Sequence, residues 1–154
     1  MQDDEHSQSI YLDTVILIGF FEKSDIGKHS RNVIKQVERM LKNPKIIVKI
    51  PLIVLGEFLV EMLNREEDLS KLFRRINPKF EGTSRESYEL ALKLMQQDKY
   101  LEANDALMVA QAILDKKSEW LITTDTILIG NQVILKEIDS RKSKLKISES
   151  FEKH

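Results

Sequence analysis

Three short runs of strand-forming residues divide the chain, and the stretches between them have helical periodicity. The runs are SIYL at 9–12, IIVKI at 46–50 and WLITT at 120–124, all rich in the β-branched and aromatic residues that strands favour. Two weaker candidates for strands, QVILK at 132–136 and KLKI at 144–147, lie near the C-terminus. We therefore predict a sheet assembled from segments that are far apart in sequence.

Apolar residues recur every three or four positions between these runs, as they do in amphipathic helices. The dipeptide Asn-Pro, which disfavours helical backbone, ends one such stretch at 43–44 and another at 77–78. A further helix is predicted to start with a capping box of Thr83 and Glu86 and to face the core with Tyr88, Ala91, Leu92 and Met95. Strands that alternate with helices predict a three-layer α/β/α sandwich with a mostly parallel central sheet.

One of the predicted helices carries an acid in almost entirely apolar surroundings. The segment PLIVLGEFLVEML opens with Pro51, which suits a first helical turn, and its predicted core stripe is Leu52, Leu55, Leu59 and Met62. At about 100° per residue, Glu57 falls on the opposite side of this helix, among Ile53, Val54 and Val60. Glu57 is therefore either a glutamate at the rim of the core or a functional acid.

Three aspartates raise the same question. Asp13 follows the first strand and Asp125 follows the third, and ligands bind open α/β sheets outside the carboxyl ends of the strands. Asp105 begins the apolar run NDALMVAQAIL at 104–114. Each aspartate also has an ordinary structural explanation: a solvated strand end for Asp13, a helix N-cap for Asp105, and a cap or turn for Asp125.

Taken together, the four acids predict a metal site. Their elements can converge on one edge of a parallel sheet, where four carboxylates raise one another's pKa unless a positive charge lies among them. No lysine or arginine is adjacent in sequence to any of the three aspartates. The chain has no cysteine, and its three histidines lie near a terminus or in a polar stretch. A donor set made only of oxygen favours Mg²⁺ or Mn²⁺ over zinc or copper.

Composition sets the remaining limits. The length of 154 residues predicts one domain, at 9–148, between a flexible polar N-terminal tail at 1–8 and a C-terminal tail at 149–154. The 24 basic and 25 acidic residues leave no net field that would indicate a polyanionic partner. No apolar run approaches the roughly 20 residues that span a bilayer, and the polar start MQDDEHSQ is unlike a secretory signal. We therefore expect a cytoplasmic protein with no membrane partner.

The four acidic motifs, in this order, resemble those of PIN-domain ribonucleases, specifically the prokaryotic VapC-like toxins and their close relatives. The motifs are IYLDT, PLIVLGEFL, NDALMVAQA and LITTD, and the resemblance spans about 10–147. It implies a catalytic site of Asp13, Glu57, Asp105 and Asp125. The three aspartates would hold Mg²⁺ or Mn²⁺, and the polar residues that contact the acids or a bound water would be Thr14, Asn104 and Thr124.

The resemblance further implies a metal-dependent endoribonuclease, the toxin of a toxin-antitoxin pair. Such proteins are usually homodimers and are silenced by an antitoxin protein that covers the acidic groove. An RNA substrate also requires a basic surface. The candidate segments are KLFRRINPK, with Lys71, Arg74, Arg75 and Lys79, and RKSKLK, with Arg141, Lys142, Lys144 and Lys146. The alternative for both segments is a solvated face.

Two positions depart from the family pattern. Val15 stands where Asn often follows the first motif, and Ile127 stands where the fourth motif often has another acid. The four-acid set remains, so we expect one firmly bound metal ion. The departures keep open a PIN-like module that binds protein in an RNA-processing assembly without cutting. Magnesium-dependent phosphatases and receiver domains fit less well, because Val15 replaces the second phosphatase Asp and no acid pair follows the first strand.

Overall fold

Within residues 7–151, five parallel strands form the centre of the protein and helices cover both faces, so the predicted α/β/α sandwich is confirmed. The computed structural model describes residues 7–151. Its strands are β1 Gln8–Leu12, β2 Ile46–Pro51, β3 Lys79–Glu81, β4 Ser118–Ile122 and β5 Lys146–Ser148. The α helices are α1 Thr14–Phe20, α2 Lys28–Met40, α3 Leu52–Met62, α4 Ser70–Ile76, α5 Arg85–Gln97, α6 Ala103–Leu114 and α7 Gln132–Ser140, and a 3₁₀ turn covers Asp25–Gly27.

The strand order β3-β2-β1-β4-β5 places β1 at the centre of the sheet. The chain steps outward from β1 to β2 and β3, then returns to the other side of β1 to form β4 and β5. Because parallel crossovers are right-handed, this reversal puts α1 to α4 on one face and α5 to α7 on the other. The direction of winding reverses between β1 and β4, and a crevice opens there outside the carboxyl ends of these strands.

The core lies on both faces of the three inner strands. In β1, the side chains of Ile10, Tyr11 and Leu12 are all buried, which gives the near-continuous apolar run expected of a strand covered on both sides. Helix α6 is buried on most of its circumference from Met108 to Ile113. Its location between α5, the sheet and α3 explains why the run that begins near Asp105 has so few polar residues.

The strand predictions are correct for β1 and β2 and nearly so for β4, which ends at Ile122, two residues before the predicted end. The predicted strand QVILK is wrong. These residues begin α7 because the side chain of Asn131 accepts a hydrogen bond from the backbone N–H of Ile134 at 3.1 Å and caps a helix. The weak candidate KLKI overlaps β5, and the short edge strand β3 has no counterpart in the prediction.

The predicted start of α5 is displaced by one residue. Ser84 is the N-cap, and it forms a capping box with Ser87 instead of the predicted pair of Thr83 and Glu86. The predicted core face is correct in part, since Ala91 is buried and Met95 packs against the core. Leu90 and Leu94 are also buried, whereas the predicted core residues Tyr88 and Leu92 are 57% and 52% exposed. The face of α5 that packs against the core is therefore rotated about the helix axis from the face that the apolar pattern predicted.

The predicted core stripe of α3 is also wrong in part. Val54, Phe58 and Met62 are buried, whereas Leu52 and Leu59 are exposed. Almost every position of α3 is apolar, so hydrophobicity alone could not indicate which face is buried. The observed orientation puts Glu57, which is partly exposed, at the margin of the buried face.

The ends of the domain are well defined within residues 7–151. β1 begins at Gln8, and Phe151 packs edge-on against Trp120 with 5.4 Å between ring centroids. The other residues of the two predicted tails, 1–6 and 152–154, lie outside the part of the chain that the structure describes. No helix in the described part is long and apolar enough to cross a bilayer.

Candidate active site

Asp13 lies at the floor of the crevice between β1 and β4. It directly follows β1 and caps α1, since one carboxylate oxygen accepts a hydrogen bond from the backbone N–H of Thr14 at 2.7 Å. The other oxygen accepts a hydrogen bond from the hydroxyl of Thr123 at 2.6 Å. The side chain is only 7% exposed. Burial raises the pKa of Asp13, as do the charges of Glu57 and Asp125, and the two hydrogen bonds oppose this shift.

Thr123 is a site residue that the sequence did not reveal. Its buried hydroxyl donates a hydrogen bond to Asp13 and accepts one from the backbone N–H of Asp125 at 3.0 Å. Thr123 therefore connects the segments that follow the carboxyl ends of β1 and β4. Thr124, which the family resemblance indicated instead, is exposed and lines the cavity. Side chains alternate in direction along an extended chain. Because β4 ends at Ile122, the side chain of Thr123 points inward and that of Thr124 points outward.

Glu57 is held by two side chains from different elements. One carboxylate oxygen accepts the hydroxyl hydrogen of Thr14 at 3.1 Å, and the other accepts the side-chain amide of Asn104 at 3.1 Å. Thr14 belongs to α1 and Asn104 to α6, so these hydrogen bonds connect three helices above the edge of the sheet. The orientation of Glu57 is therefore fixed by its neighbours.

Asp105 lies in the first turn of α6, but it is not the N-cap, which is Glu102. Within residues 7–151, no side chain or backbone group donates a hydrogen bond to its carboxylate. Burial raises the pKa of Asp105 to about 7, and the charges of Asp13, Asp125, Glu57 and Glu102 add to this effect. The capping explanation for this residue is wrong, and its carboxylate is left without a partner beside other acids.

Asp125 combines a structural role with a position at the site. One carboxylate oxygen accepts the backbone N–H of Ile127 at 2.9 Å, and its backbone carbonyl accepts the N–H groups of Leu128 and Ile129. The turn explanation from the sequence is therefore correct for one of its two carboxylate oxygens. The residue is only partly exposed and faces the same cavity as the other acids.

All four acids border one cavity of about 410 Å³. Its lining residues are Asp13, Thr14, Val15, Ile18, Glu57, Asp105, Thr124 and Asp125, with no lysine or arginine among them. In the described part of the chain, no three His, Cys, Asp or Glu side chains are spaced as ligands of one metal ion. The donor chemistry nevertheless suits a hard divalent cation, because the lining offers several carboxylate oxygens and no compensating positive charge.

The two basic segments singled out in the sequence lie outside this cavity, and four of their eight charges form ion pairs. Arg74 lies 3.8 Å from Asp68, Lys79 lies 3.6 Å from Glu81, and Arg141 donates to Glu137 at 3.0 Å. Arg75 pairs with Glu38 and stacks over Phe20, and Lys146 stacks over Trp120. Lys71, Lys142 and Lys144 make no ion pair within residues 7–151. RNA contact by these segments stays a prediction.

The different roles of two adjacent threonines can be tested by the same substitution. Thr123→Val removes a hydroxyl that makes two hydrogen bonds, one of them to a carboxylate, and should lower the free energy of unfolding by about 2 kcal/mol. Thr124→Val is the matched control and should change it by less than about 0.5 kcal/mol, because that side chain is exposed. Urea unfolding of both variants at pH 7 measures the difference, and equal effects would contradict the assignment.

Comparison with known proteins identifies the fold of this chain but does not assign it to a family. No family model matches the chain, and no curated protein matches it. Among solved structures, a crystal structure of VapBC2 from Rickettsia felis bound to a DNA fragment from their promoter is similar over 91% of this chain and 98% of that chain, with a TM-score of 0.55 and 19% identity. The chain therefore has the α/β fold of VapC PIN domains.

Proposed function

We propose that this protein is a metal-dependent endoribonuclease that hydrolyses RNA phosphodiester bonds at the four-carboxylate cavity. One observation carries the proposal: acids from four separate elements converge on one cavity at the point where the winding of the sheet reverses, with no basic residue in its lining. Such an uncompensated cluster is unfavourable for folding. Its presence in an exposed crevice is therefore best explained by a ligand that supplies positive charge.

Asp13, Asp105 and Asp125 are the proposed metal ligands. A divalent cation supplies Lewis acidity that activates water and offsets the charge building on the phosphoryl oxygens. Asp13 is the most rigid of the three, because both of its oxygens accept hydrogen bonds. Asp105 is the least satisfied, because it has no hydrogen-bond donor within residues 7–151 and its pKa is raised to about 7 by burial and by neighbouring carboxylates.

Glu57 has a different proposed role, which is to orient the attacking water and accept its proton. The side chains of Thr14 and Asn104 hold the two oxygens of its carboxylate in place, so Glu57 can act as a fixed base toward a water inside the cavity. A carboxylate that accepts two neutral hydrogen bonds still has lone pairs for a third donor.

Cleavage of a mixed RNA pool with Mg²⁺, Mn²⁺ or EDTA tests the proposal. We expect cutting with either metal and none with EDTA. Glu57→Gln should lower the cleavage rate by about 10²-fold or more, the usual contribution of a general base. Glu61→Gln is the matched control on the same helix, and we expect it to keep full activity, because Glu61 makes only an exposed pair with Arg65. Equal loss in both variants, or cutting in EDTA, would contradict the proposal.

We extend the proposal to a toxin that is paired with an antitoxin protein and acts as a homodimer. The support for an antitoxin is the structural similarity to VapBC2, a complex solved on promoter DNA, and the homodimer rests on the resemblance of the acidic motifs to those of VapC-like toxins. An antitoxin segment that carries a basic side chain would complement the unpaired acids of the cavity. Co-expression should then restore the growth of cells that the toxin alone arrests, and binding of the partner should block cleavage in vitro.

A second candidate function is a PIN-like module that binds protein and does not cut. The observation in its favour is that Val15 and Ile127, which replace polar residues of the family pattern, are 42% and 45% exposed beside the acids. Undetectable metal binding by calorimetry, together with partner binding that survives Asp105→Asn, would support this candidate over the nuclease.

A further inference from the structure

One face of α2 carries positive charge that the acidic cavity does not use. Lys28, Lys35 and Arg39 recur at helical spacing, and Lys42 continues the same line just past the end of the helix. All four side chains are exposed, and none of them makes an ion pair within residues 7–151. We call these four residues the α2 basic face.

This lack of ion pairs distinguishes α2 from the surfaces that carry most of the arginines. Arg65, Arg74, Arg75, Lys79, Arg85, Lys93 and Arg141 each lie within 4 Å of a carboxylate. The one acid of α2, Glu38, is paired with Arg75 from α4. In a chain with a net charge of −1, the α2 basic face therefore concentrates uncompensated positive charge.

A cavity of about 240 Å³ lies along the same helix. Its polar lining includes His29, Asn32, Lys35, Gln36 and Arg39, and none of the acidic residues within 7–151 lines it. Each of these five side chains carries N–H groups that donate hydrogen bonds. A concave surface lined by an ammonium, a guanidinium and two amides suits an anion with several oxygens, such as a phosphate group.

The position of this cavity relates it to the acidic one. The Nε2 atom of His29 lies 2.7 Å from the backbone carbonyl of Glu149, the residue that directly follows β5. The beginning of α2 thus lies at the carboxyl edge of the sheet, the edge at which the four acids also lie. A chain that leaves the acidic cavity toward β5 would reach the first turn of α2 at Lys28 and would then follow the helix for roughly 16 Å to Arg39.

We infer that the α2 basic face and its cavity bind the phosphate backbone of single-stranded RNA next to the cleavage site. This inference rests on the proposed function. A polyanion gains nothing from four carboxylates, so the free energy that holds RNA at the acidic cavity must come from cations elsewhere on the surface. The α2 basic face fits this role better than the two segments chosen from the sequence, because ion pairs neutralise four of their eight charges and Lys146 packs over Trp120, whereas all four charges of the α2 basic face are without an ion pair within residues 7–151.

Binding of a labelled single-stranded RNA, measured by fluorescence anisotropy in EDTA, tests the inference. Asp105→Asn serves as the background so that binding is measured without cutting. Adding Lys35→Gln and Arg39→Gln should weaken binding by about tenfold or more at moderate salt. It should also reduce the slope of log K against log salt by about 1.4, since each phosphate contact on a single strand contributes about 0.7. Glutamine keeps the helix intact, because it is a good helix former.

The matched control is Lys116→Gln with Arg85→Gln, which removes the same charge from exposed positions outside α2. We expect this control to keep the affinity and the salt slope of the background. Equal losses in both double variants would overturn the inference, because they would report net charge alone. An equal loss of affinity for duplex DNA would also overturn it, because RNA would then not be the occupant.

The two proposals fail in different ways. If the parent protein cuts RNA with metal but the α2 substitutions leave affinity and salt slope unchanged, the α2 inference is wrong and the nuclease stands. If the α2 substitutions weaken RNA binding as expected but no metal supports cutting, the nuclease proposal is wrong and the RNA-binding surface stands.

Discussion

Replacing Asp105 by asparagine should abolish RNA cleavage and, at neutral pH, make the folded protein more stable. The carboxylate of Asp105 has no hydrogen-bond donor within residues 7–151, and burial together with three nearby site acids raises its pKa to about 7 from an ordinary value of 3.8. Asparagine has nearly the same shape and no charge. The substitution therefore removes repulsion from the folded protein along with a proposed metal ligand.

The pH dependence of this gain follows from proton linkage. Between the ordinary pKa of 3.8 and the raised value of about 7, the folded protein binds more protons at Asp105 than the unfolded chain does. Ionisation of Asp105 therefore lowers the free energy of unfolding as pH rises through this window. Asp105→Asn has no carboxylate to ionise, so its free energy of unfolding does not fall in this way. The gain in stability over the parent protein should be small near pH 4 and largest above pH 7. Allowing for solvent screening, we expect about 1–2 kcal/mol.

Urea unfolding of the parent protein and Asp105→Asn at pH 4.5 and pH 8 measures this linkage. Asp139→Asn, which changes an exposed aspartate of α7, is the control and should show no comparable gain. Mg²⁺ should stabilise the parent protein more than Asp105→Asn. A variant that is less stable than the parent at both pH values would show that Asp105 serves the structure of α6.

Replacing Lys49 by methionine should have the largest effect on stability. The ammonium group of Lys49 lies 2.8 Å from a carboxylate oxygen of Asp115 and 3.5 Å from Glu81, and it is almost fully buried. The hydroxyl of Tyr11 donates to the same oxygen of Asp115 at 2.8 Å. Burial alone would raise the pKa of Asp115, but hydrogen bonds from Lys49, from the backbone of Lys117 and from Tyr11 hold it below its ordinary value.

Lys49→Met leaves Asp115 buried without its counter-charge, a change that typically lowers the free energy of unfolding by about 3 kcal/mol or more. Arg85→Met breaks an exposed pair with Glu89 and should lower it by less than about 1 kcal/mol. Without Lys49, the pKa of Asp115 should rise. Acidification below the ordinary range of aspartate protonates Asp115, which then needs no counter-charge, so the free energies of unfolding of the variant and the parent protein should come closer together. A loss below about 1 kcal/mol at pH 7 would mean that desolvation of the pair cancels its attraction.

The sequence predicted the sandwich and the edge of the sheet at which the acids lie, because both depend on long-range patterns. Alternating strands and helices indicate parallel crossovers, and Asp13 follows its strand by a single residue, so errors of one or two positions do not move it to another region. Glu57 and Asp105 stood out for a similar reason, since each is an acid with mostly apolar neighbours on its helix. These arguments depend only on which element carries the residue.

Details that depend on a single position could not be predicted in this way. Thr123 and Thr124 are identical in type, and only the observed end of β4 determines which one turns toward Asp13. The run at 132–136 contains β-branched residues, yet it is helical because the side chain of Asn131 accepts a capping hydrogen bond from Ile134 and because α7 packs against α5. The α2 basic face escaped notice because its charges are spaced along a helix and do not form a dense cluster in the sequence.

The central place of β1 has a consequence for the synthesis of the protein. β1 is translated early, but it pairs on both sides, and the partner of Ser9 in β4 is Ser118. Domains fold largely as units while they emerge from the ribosome. Until β4 has emerged, β1 therefore keeps an open edge, and Asp13 lacks the hydroxyl that holds it. If the proposed function is correct, this order of assembly keeps the cleavage site incomplete until β4 has emerged.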